Sequence, residues 1–255
     1  MPNAEVLSWV RSRFMPHIWC PGCGHGVIMH AIIRALIGIG ADRKNTVLAS
    51  GIGCSSRMAG YINACTLHST HGRSLAFSTG IKLHRPDLTV VNVMGDGDCT
   101  AIGGNHFIHA CRRNIDITAI VMNNNIYGMT GGQASPTTPV GAFATTTPYG
   151  AVDPTFDICK LAEGAGASYV ARTTIANPRQ AETFIANGIR KKGFSVIEIV
   201  THCHTQFGRK NNRRLPIENY KYFKENSIPL ALAKDKSPEE LAGKIVCGEF
   251  VNKDT

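Results

Sequence analysis

Long apolar runs are the first feature that this 255-residue sequence lacks. No run of about 18 apolar residues occurs, so the sequence predicts no transmembrane helix. The first residues also lack the apolar core of a secretory signal peptide, and the expected location is therefore cytoplasmic. Internal repeats and low-complexity segments are absent as well. The length fits one large α/β domain with a C-terminal extension.

Acidic side chains are the second shortage. The chain has 18 Asp and Glu against 27 Lys and Arg, which gives a net charge of +9. Such an excess suits anionic partners, namely nucleic acid, phosphate-bearing cofactors or an acidic protein, without choosing among them.

Cysteine, by contrast, is abundant, with nine residues. In a cytosolic chain we expect these to be metal ligands and buried thiols rather than disulfides.

A single Cys-x-x-Cys pair, Cys20 and Cys23, lies in the segment WCPGCGHG. The tight turn directs both sulfurs at one metal, which indicates a soft-metal site. A zinc ribbon or rubredoxin-like site needs a second such pair, which is missing, and no predicted strand precedes the pair as in a thioredoxin-like motif. Cys54, in a Gly/Ser turn before a helix, is a candidate third thiolate. Cys203, just after the last predicted strand, is either a fourth thiolate or a half-buried free thiol.

Polar side chains follow two neighbouring predicted strands, residues 90–94 and 115–122. Gly95-Asp96-Gly97-Asp98 comes after the first strand, a helix is predicted over roughly residues 101–113, and Asn123-Asn124-Asn125 ends the second strand. Ligands of open α/β sheets bind outside the carboxyl ends of the strands, so Asp96 and Asn124 are expected side by side. Carboxylate and amide oxygens are ligands that Mg²⁺ prefers. The alternative is two unrelated turns, one rich in Gly and Asp and the other in Asn.

The GDG and NN segments at this separation resemble the diphosphate-binding motif of thiamine diphosphate enzymes. By that resemblance the Asp96 carboxylate, the Asn124 side chain and the Ile126 carbonyl would hold Mg²⁺, which in turn would hold the diphosphate. The implied fold is α/β, of the thiamine-diphosphate-binding type. It is expected to have a parallel sheet flanked by helices, the Cys-x-x-Cys knuckle near the N-terminus and an irregular C-terminal arm. Residues 1–205 would form the domain, and residues 206–255 the arm at a subunit interface.

Further motifs extend the resemblance over roughly residues 16–214. In chain order they are WCPGCGHG, GIGCSSR, THGRSLAFSTGIKL, GDGD with IGGNHFIHACRRN, NNNIYGMTGGQ, and a lone cysteine after the last strand. This ordered set is similar to the β subunit of 2-oxoacid:ferredoxin oxidoreductases. NNNIYGMTGGQASPTTP and HTQFGRKN most resemble the 2-oxoglutarate-type enzymes. The implied reaction converts 2-oxoglutarate, coenzyme A and oxidised ferredoxin into succinyl-CoA, CO₂ and reduced ferredoxin, or runs in reverse. A pyruvate- or branched-chain-type enzyme is the alternative.

The resemblance also implies two sets of site residues. One [4Fe–4S] cluster would be ligated by four thiolates, those of Cys20, Cys23, Cys54 and Cys203. The surroundings of thiamine diphosphate and Mg²⁺ would be Gly53, Cys54, Ser55, Ser56, His71, Gly95, Asp96, Gly97, Asp98, Asn124, Ile126, Tyr127, Gly128, Met129 and Thr130. The remaining five cysteines belong to no motif, and we expect them to be core thiols.

A glutamate that could activate the aminopyrimidine ring of the cofactor is missing near these motifs. We therefore expect an obligate α subunit to supply it, together with the 2-oxoacid and coenzyme A pockets, with small γ and δ subunits as further partners and ferredoxin as electron acceptor. No catalytic residue is assigned to this chain, and neither a membrane nor a nucleic acid is an expected partner.

The competing interpretations are a thiamine diphosphate enzyme without redox chemistry, a zinc-knuckle nucleic-acid-binding protein that uses GRKNNRR, and an inactive scaffold subunit. The Thr-, Pro- and Gly-rich segment 130–150 predicts a lid or a disordered loop.

Overall fold

The computed structural model describes residues 4–253. Within them the helices are α1 (Ala4–Ser8), α2 (His25–Gly38), α3 (Met58–Tyr61), α4 (Ser74–His84), α5 (Asp96–Thr100), α6 (Gly104–Arg113), α7 (Ile158–Gly164), α8 (Pro178–Arg190), α9 (Pro216–Asn226) and α10 (Leu230–Ala233). The strands are β1 (Thr46–Ser50), β2 (Cys65–His68), β3 (Thr89–Gly95), β4 (Thr118–Asn123), β5 (Ile126–Tyr127), β6 (Gln133–Ala134), β7 (Tyr169–Thr174), β8 (Ser195–Val200), β9 (Ser227–Pro229) and β10 (Ile245–Asn252). Short 3₁₀ turns span Ser12–Phe14 and Ser55–Arg57, and a π turn spans His204–Gly208.

An eight-stranded sheet organises the chain, in the order β2-β1-β3-β4-β8-β7-β10-β9. All neighbours pair in parallel except β7 and β10, which are antiparallel. The register sets Gly95 beside Met122 and Asn123 beside Val200. The segments that follow β3, β4 and β8 therefore leave the sheet at the same edge, as predicted for an open parallel sheet.

Helices cover both faces of this sheet, because successive strand residues point to opposite sides. In β3, Val91 and Val93 pack into the core under α2 and α8, while Val90 and Met94 pack into the core under α4, α6 and α7. Strands β4 and β8 are buried along their whole length, which explains their continuous apolar sequences. The predicted layered α/β fold is confirmed.

Two expectations about local structure were wrong, and one strand was not predicted. The helix predicted over residues 101–113 begins at Gly104, because Ala101 has non-helical dihedral angles (φ −89°, ψ −97°), and residues Asp96–Thr100 form the separate turn α5. The edge strand β2 was not predicted. The C-terminal arm is not irregular, since it contains α9 and α10, and β10 joins the main sheet beside β7.

Strand β10 escaped prediction because its apolar pattern is interrupted. The sequence IVCGEFVN places Gly248 and Glu249 in its middle, and the register with β7 shifts between Glu249 and Val251. The Glu249 carboxylate accepts hydrogen bonds from the Tyr169 hydroxyl (2.5 Å) and the Asn187 side chain (3.1 Å), so this charged residue is satisfied within the sheet. No helix of residues 4–253 is both long and apolar enough to cross a membrane.

Candidate functional site

A cavity of about 180 Å³, which we call the oxygen-lined cavity, opens at the carboxyl ends of β1, β3 and β4. It is lined by almost all of the residues predicted to surround the cofactor, namely Gly53, Cys54, Ser55, His71, Gly95, Asp96, Gly97, Asp98, Asn124, Ile126, Tyr127, Gly128, Met129 and Thr130. Ser56 is the exception, because it is fully buried and its carbonyl accepts a hydrogen bond from Ser50 behind the wall. Three residues that were not predicted, His25, Ile52 and Met122, also line the cavity.

Three oxygen atoms converge on one wall of this cavity, and we call them the oxygen site. The Asn124 Oδ1 atom lies 2.7 Å from the Ile126 carbonyl oxygen and 3.2 Å from Asp96 Oδ1. The backbone N–H of Ile126 donates to the same Asn124 oxygen (3.3 Å), which is consistent with its placement. Turning the carboxamide over would place its NH₂ group there instead. Either a donor or a cation is needed to stabilise this arrangement.

The second oxygen of the Asp96 carboxylate faces away from the oxygen site. Oδ2 accepts hydrogen bonds from the Ser135 hydroxyl and from Thr137 Oγ1, the latter at 2.7 Å. Asp96 is 2 % exposed. Burial raises the pKa of this carboxyl, and the two hydroxyl donors act in the opposite direction. Sequence reasoning missed Ser135 and Thr137, because they lie in the Thr- and Pro-rich loop and belong to no motif that signals a ligand.

Asp98 contacts the Gly72 backbone and the His71 side chain on the opposite side of the cavity. Its Oδ1 atom accepts the backbone N–H of Gly72 (2.6 Å) and lies 2.7 Å from His71 Nδ1. Burial raises the pKa of the Asp98 carboxyl, and the Gly72 N–H and His71 oppose that rise. Asp98 therefore acts on the position of His71, which lines the cavity, rather than on the oxygen site.

Two glycines allow backbone segments to approach the site closely. A Cβ atom on Gly97 would lie 2.2 Å from the Tyr127 ring, so any side chain there would displace this ring from the cavity wall. A Cβ atom on Gly128 would lie 3.1 Å from Cys203 Sγ and 3.8 Å from Cys54 Sγ. Gly128 thus lies between the oxygen-lined cavity and a second cavity that contains thiols.

This second cavity, which we call the thiol cavity, has a volume of about 340 Å³ and shares its wall with the first. All four predicted thiolates line it, including Cys203. The sulfurs of Cys20 and Cys203 lie 3.8 and 3.5 Å from the same Thr205 hydroxyl. Burial, with the neighbouring thiols, raises the pKa of Cys23 to about 12 and that of Cys54 to about 11. Segments far apart in the sequence therefore meet as a cluster of thiols that needs a positive partner in order to ionise.

The spacing of these thiols limits what they can hold together. Among the described residues, the one group of three ligand atoms within 4.8 Å of one another is Asp157, Cys159 and Glu198, and the thiol cavity contains no such group. A tetrahedral zinc ion with Zn–S bonds of about 2.3 Å would need sulfurs about 3.8 Å apart. No three ligand atoms of the described residues of the thiol cavity are therefore as close together as the ligands of one zinc ion would be. The compact Asp157–Glu198 group already has a cation, because Arg172 donates to both carboxylates.

Residues around the thiol cavity fix the Cys-x-x-Cys turn. The Trp19 indole N–H donates to the Cys54 carbonyl (2.7 Å), and His202 Nε2 donates to the Gly22 carbonyl (3.0 Å). His25 Nδ1 lies 3.0 Å from Cys23 Sγ. Burial lowers the pKa of His25 to about 4. His25 lines both cavities, a role that its position directly after the Cys-x-x-Cys motif did not reveal.

Comparison with known proteins agrees with this arrangement. Residues 51–199, more than half of the chain, match the family described as "Thiamine pyrophosphate enzyme, C-terminal TPP binding domain". The chain is 56 % identical to the 2-oxoglutarate synthase subunit KorB of Methanocaldococcus jannaschii over 97 % of this chain and 92 % of that protein. It is 54 % identical to the corresponding Archaeoglobus fulgidus subunit over 88 % and 82 % of the two chains.

A solved structure is similar as well. It is the 2-oxoglutarate:ferredoxin oxidoreductase from Magnetococcus marinus, whose bound molecules are 2-oxoglutarate, coenzyme A and succinyl-CoA. The similarity has a TM-score of 0.86 at 32 % identity and covers 100 % of this chain and 87 % of that one. The chain therefore belongs to the thiamine pyrophosphate-binding KorB family, the subunits of 2-oxoacid:ferredoxin oxidoreductases.

Proposed function

We propose that this chain is the β subunit of a 2-oxoglutarate:ferredoxin oxidoreductase that also uses coenzyme A. The chain would bind the diphosphate end of thiamine diphosphate through a divalent cation at the oxygen site, and a [4Fe–4S] cluster in the thiol cavity. The observation that carries the proposal is the wall that the two cavities share, which is formed by His25, Cys54, Asn124, Gly128 and Met129.

The donor set of the oxygen site fits Mg²⁺. Ligands in neighbouring positions of an octahedral Mg²⁺, each at about 2.0–2.1 Å, lie about 2.9 Å apart. The distances from Asn124 Oδ1 to the Ile126 carbonyl and to Asp96 Oδ1, 2.7 and 3.2 Å, bracket that value. Since all three are oxygen atoms and one carries a charge, a hard cation accounts for their approach better than a rotated carboxamide does. The remaining coordination positions would be left to phosphate oxygens and water.

The thiol cavity fits a [4Fe–4S] cluster. Such clusters take four cysteine thiolates, and the cavity offers Cys20, Cys23, Cys54 and Cys203. Among the residues that the structure describes, no three ligand atoms in the cavity lie within 4.8 Å of one another, which argues against the zinc-knuckle interpretation. Cys20 is exposed to solvent while Cys23 and Cys54 are partly buried, so one edge of the cluster would reach the surface. An electron carrier could then approach it.

Thiamine diphosphate, when bound, supplies the electron sink for decarboxylation of a 2-oxoacid, and this chain supplies position and electrostatics. Asp96, Asn124 and Ile126 would hold the diphosphate through the cation. Tyr127, kept in place by its approach to Gly97, and His71, kept in place by Asp98, would form the walls around the cofactor. His25 and Gly128 would keep the thiol cavity adjacent to it.

Partner subunits complete the proposed enzyme. Of the glutamates that the structure describes, none lines the oxygen-lined cavity, so the group that activates the aminopyrimidine ring would come from an α subunit. That subunit would also supply the 2-oxoacid and coenzyme A pockets, with ferredoxin as acceptor and small further subunits in the complex. The similar enzyme from Magnetococcus marinus has 2-oxoglutarate and coenzyme A bound. This similarity favours 2-oxoglutarate over pyruvate as the substrate of the enzyme proposed here.

The proposal is tested on the enzyme co-purified anaerobically with its partner subunits. Reduction of ferredoxin or viologen is measured with 2-oxoglutarate, pyruvate and branched-chain 2-oxoacids, each with coenzyme A. We expect the highest rate with 2-oxoglutarate and dependence on coenzyme A. Equal rates on pyruvate and 2-oxoglutarate would contradict the substrate, and zinc in place of iron in the chain would contradict the redox function.

A further inference from the structure

A buried series of polar contacts runs from the oxygen site through the loop that follows β6. Thr137 Oγ1 lies 2.7 Å from Asp96 Oδ2 and 2.9 Å from Asn123 Oδ1. The Asn123 side chain then donates through Nδ2 to Glu198 Oε1 (2.8 Å). Glu198, 2 % exposed, also accepts from Arg172 Nε (2.7 Å). This series of contacts thus ends in the ion pair between Arg172 on β7 and Glu198 on β8.

These contacts fix the orientation of the Asn123 carboxamide. Its NH₂ end faces the Glu198 carboxylate, so its oxygen must face Thr137 and the backbone N–H of Asn125, which donates to it at 3.1 Å. Asn125 has a left-handed backbone (φ 62°), and its neighbour Asn124 supplies an oxygen of the oxygen site. Asn123 therefore sets the shape of the turn that presents the Asn124 and Ile126 oxygens.

The loop residues are tied to the same turn. The Asn125 side chain donates to the Thr137 carbonyl (2.9 Å), and the Thr138 hydroxyl donates to the Asn125 carbonyl (2.7 Å). Thr137, 1 % exposed, lies at the centre of these contacts. Its single hydroxyl proton serves one acceptor at a time, and the charge on Asp96 makes that carboxylate the stronger acceptor. Oδ2 of Asp96 is thereby occupied, and Oδ1 is left to face the oxygen site.

We propose that Thr137 is a positioning residue for the oxygen site. Its hydroxyl donates to the Asp96 carboxylate and its backbone carbonyl accepts from the Asn125 side chain, so this one residue holds the two halves of the site at the separation that a divalent cation requires. This inference rests on the cation site of the proposed function. Residues that orient metal ligands typically change metal affinity by about 10- to 100-fold when they are replaced. Ser135 contacts Asp96 but not Asn123, so its contribution is smaller.

The test uses the assembled enzyme, stripped of divalent metal, with thiamine diphosphate present. Mn²⁺ replaces Mg²⁺, and the loss of the free-ion electron paramagnetic resonance signal measures its dissociation constant. Thr137→Val keeps the shape and removes the hydroxyl, so we expect the dissociation constant to rise about tenfold or more. Thr137→Ser restores the hydroxyl and should restore the affinity. Thr155→Val is the matched control, because the Thr155 hydroxyl donates to the Thr138 carbonyl and has no contact with Asp96.

The outcomes separate this inference from the function on which it rests. If Asp96→Asn abolishes Mn²⁺ binding and Thr137→Val does not weaken it, the positioning role is wrong and the cation site stands. If Thr137→Val and Thr137→Ser weaken binding equally, the hydroxyl is not the cause, and the inference is overturned. If Asp96→Asn binds Mn²⁺ like the wild-type enzyme, the cation site itself is wrong, and both proposals fail.

Discussion

The oxygen site and the thiol cavity share a wall but are assembled in opposite ways. The oxygen site takes its ligands from the ends of two adjacent strands, β3 and β4, whose register brings Asp96 and Asn124 together. The thiol cavity takes its four sulfurs from three distant segments, from Cys20 to Cys203, which are brought together by the tertiary fold. The hard-ligand site is therefore a property of the sheet, and the soft-ligand site depends on the closure of the whole domain.

The largest expected effect comes from removing the charge of the oxygen site. Asp96→Ala should abolish retention of the divalent cation and of thiamine diphosphate, because the carboxylate is the charged ligand of the set. Iron content should be unchanged, since no thiol depends on Asp96. Metal and cofactor analysis of the assembled enzyme measures both quantities, and an iron loss equal to the cofactor loss would contradict the independence of the two sites.

The converse variant acts on the thiol cavity. Cys54→Ser should cost the enzyme about four irons per β chain, because one thiolate of the cluster is lost. Mn²⁺ affinity at the oxygen site should stay close to the wild-type value. Cys65→Ser is the control, since Cys65 is exposed on the edge strand β2 and lies outside the cavity. Equal iron loss in both variants would show that the cysteines of the cavity have no special role.

These contrasts also show what the sequence could and could not predict. The buried strands β3, β4 and β8 were predictable because they are short apolar runs, and the Gly, Asp and Asn residues that follow β3 and β4 are local signals too. Thr137 was not, because its role arises from a fold of the loop that no short pattern records. Strand β10 was missed because its apolar alternation breaks at Gly248 and Glu249, and its partners Tyr169 and Asn187 come from other parts of the chain.

A smaller effect is expected where the backbone approaches the oxygen-lined cavity. Gly97→Ala places a methyl group against the Tyr127 ring, and such overpacking typically lowers the free energy of unfolding by about 1–3 kcal/mol. Thiamine diphosphate affinity should fall too, because the ring is displaced. Gly104→Ala is the control, because no atom lies within 4 Å of its added Cβ. Denaturant unfolding and cofactor titration measure the two effects, and identical behaviour of both variants would contradict the close approach.

The smallest effect is expected at the edge of the sheet that is far from both sites. Glu249→Gln keeps an acceptor for Tyr169 and Asn187 but removes its charge, which should cost about 1 kcal/mol of stability. Cation affinity and iron content should not change. Chemical denaturation compares this variant with Glu163→Gln, where the glutamate is exposed on α7. A loss of iron or cation in Glu249→Gln would show that β10 supports the sites directly.

Anomalous X-ray diffraction from anaerobic crystals of the assembled, Mn²⁺-substituted enzyme tests the central claim most directly. Data at the iron and manganese absorption edges locate each metal separately. We predict iron between Cys20, Cys23, Cys54 and Cys203, and manganese between Asp96, Asn124 and the Ile126 carbonyl. Zinc or no metal in the thiol cavity, or manganese bound away from these three oxygens, would contradict the account.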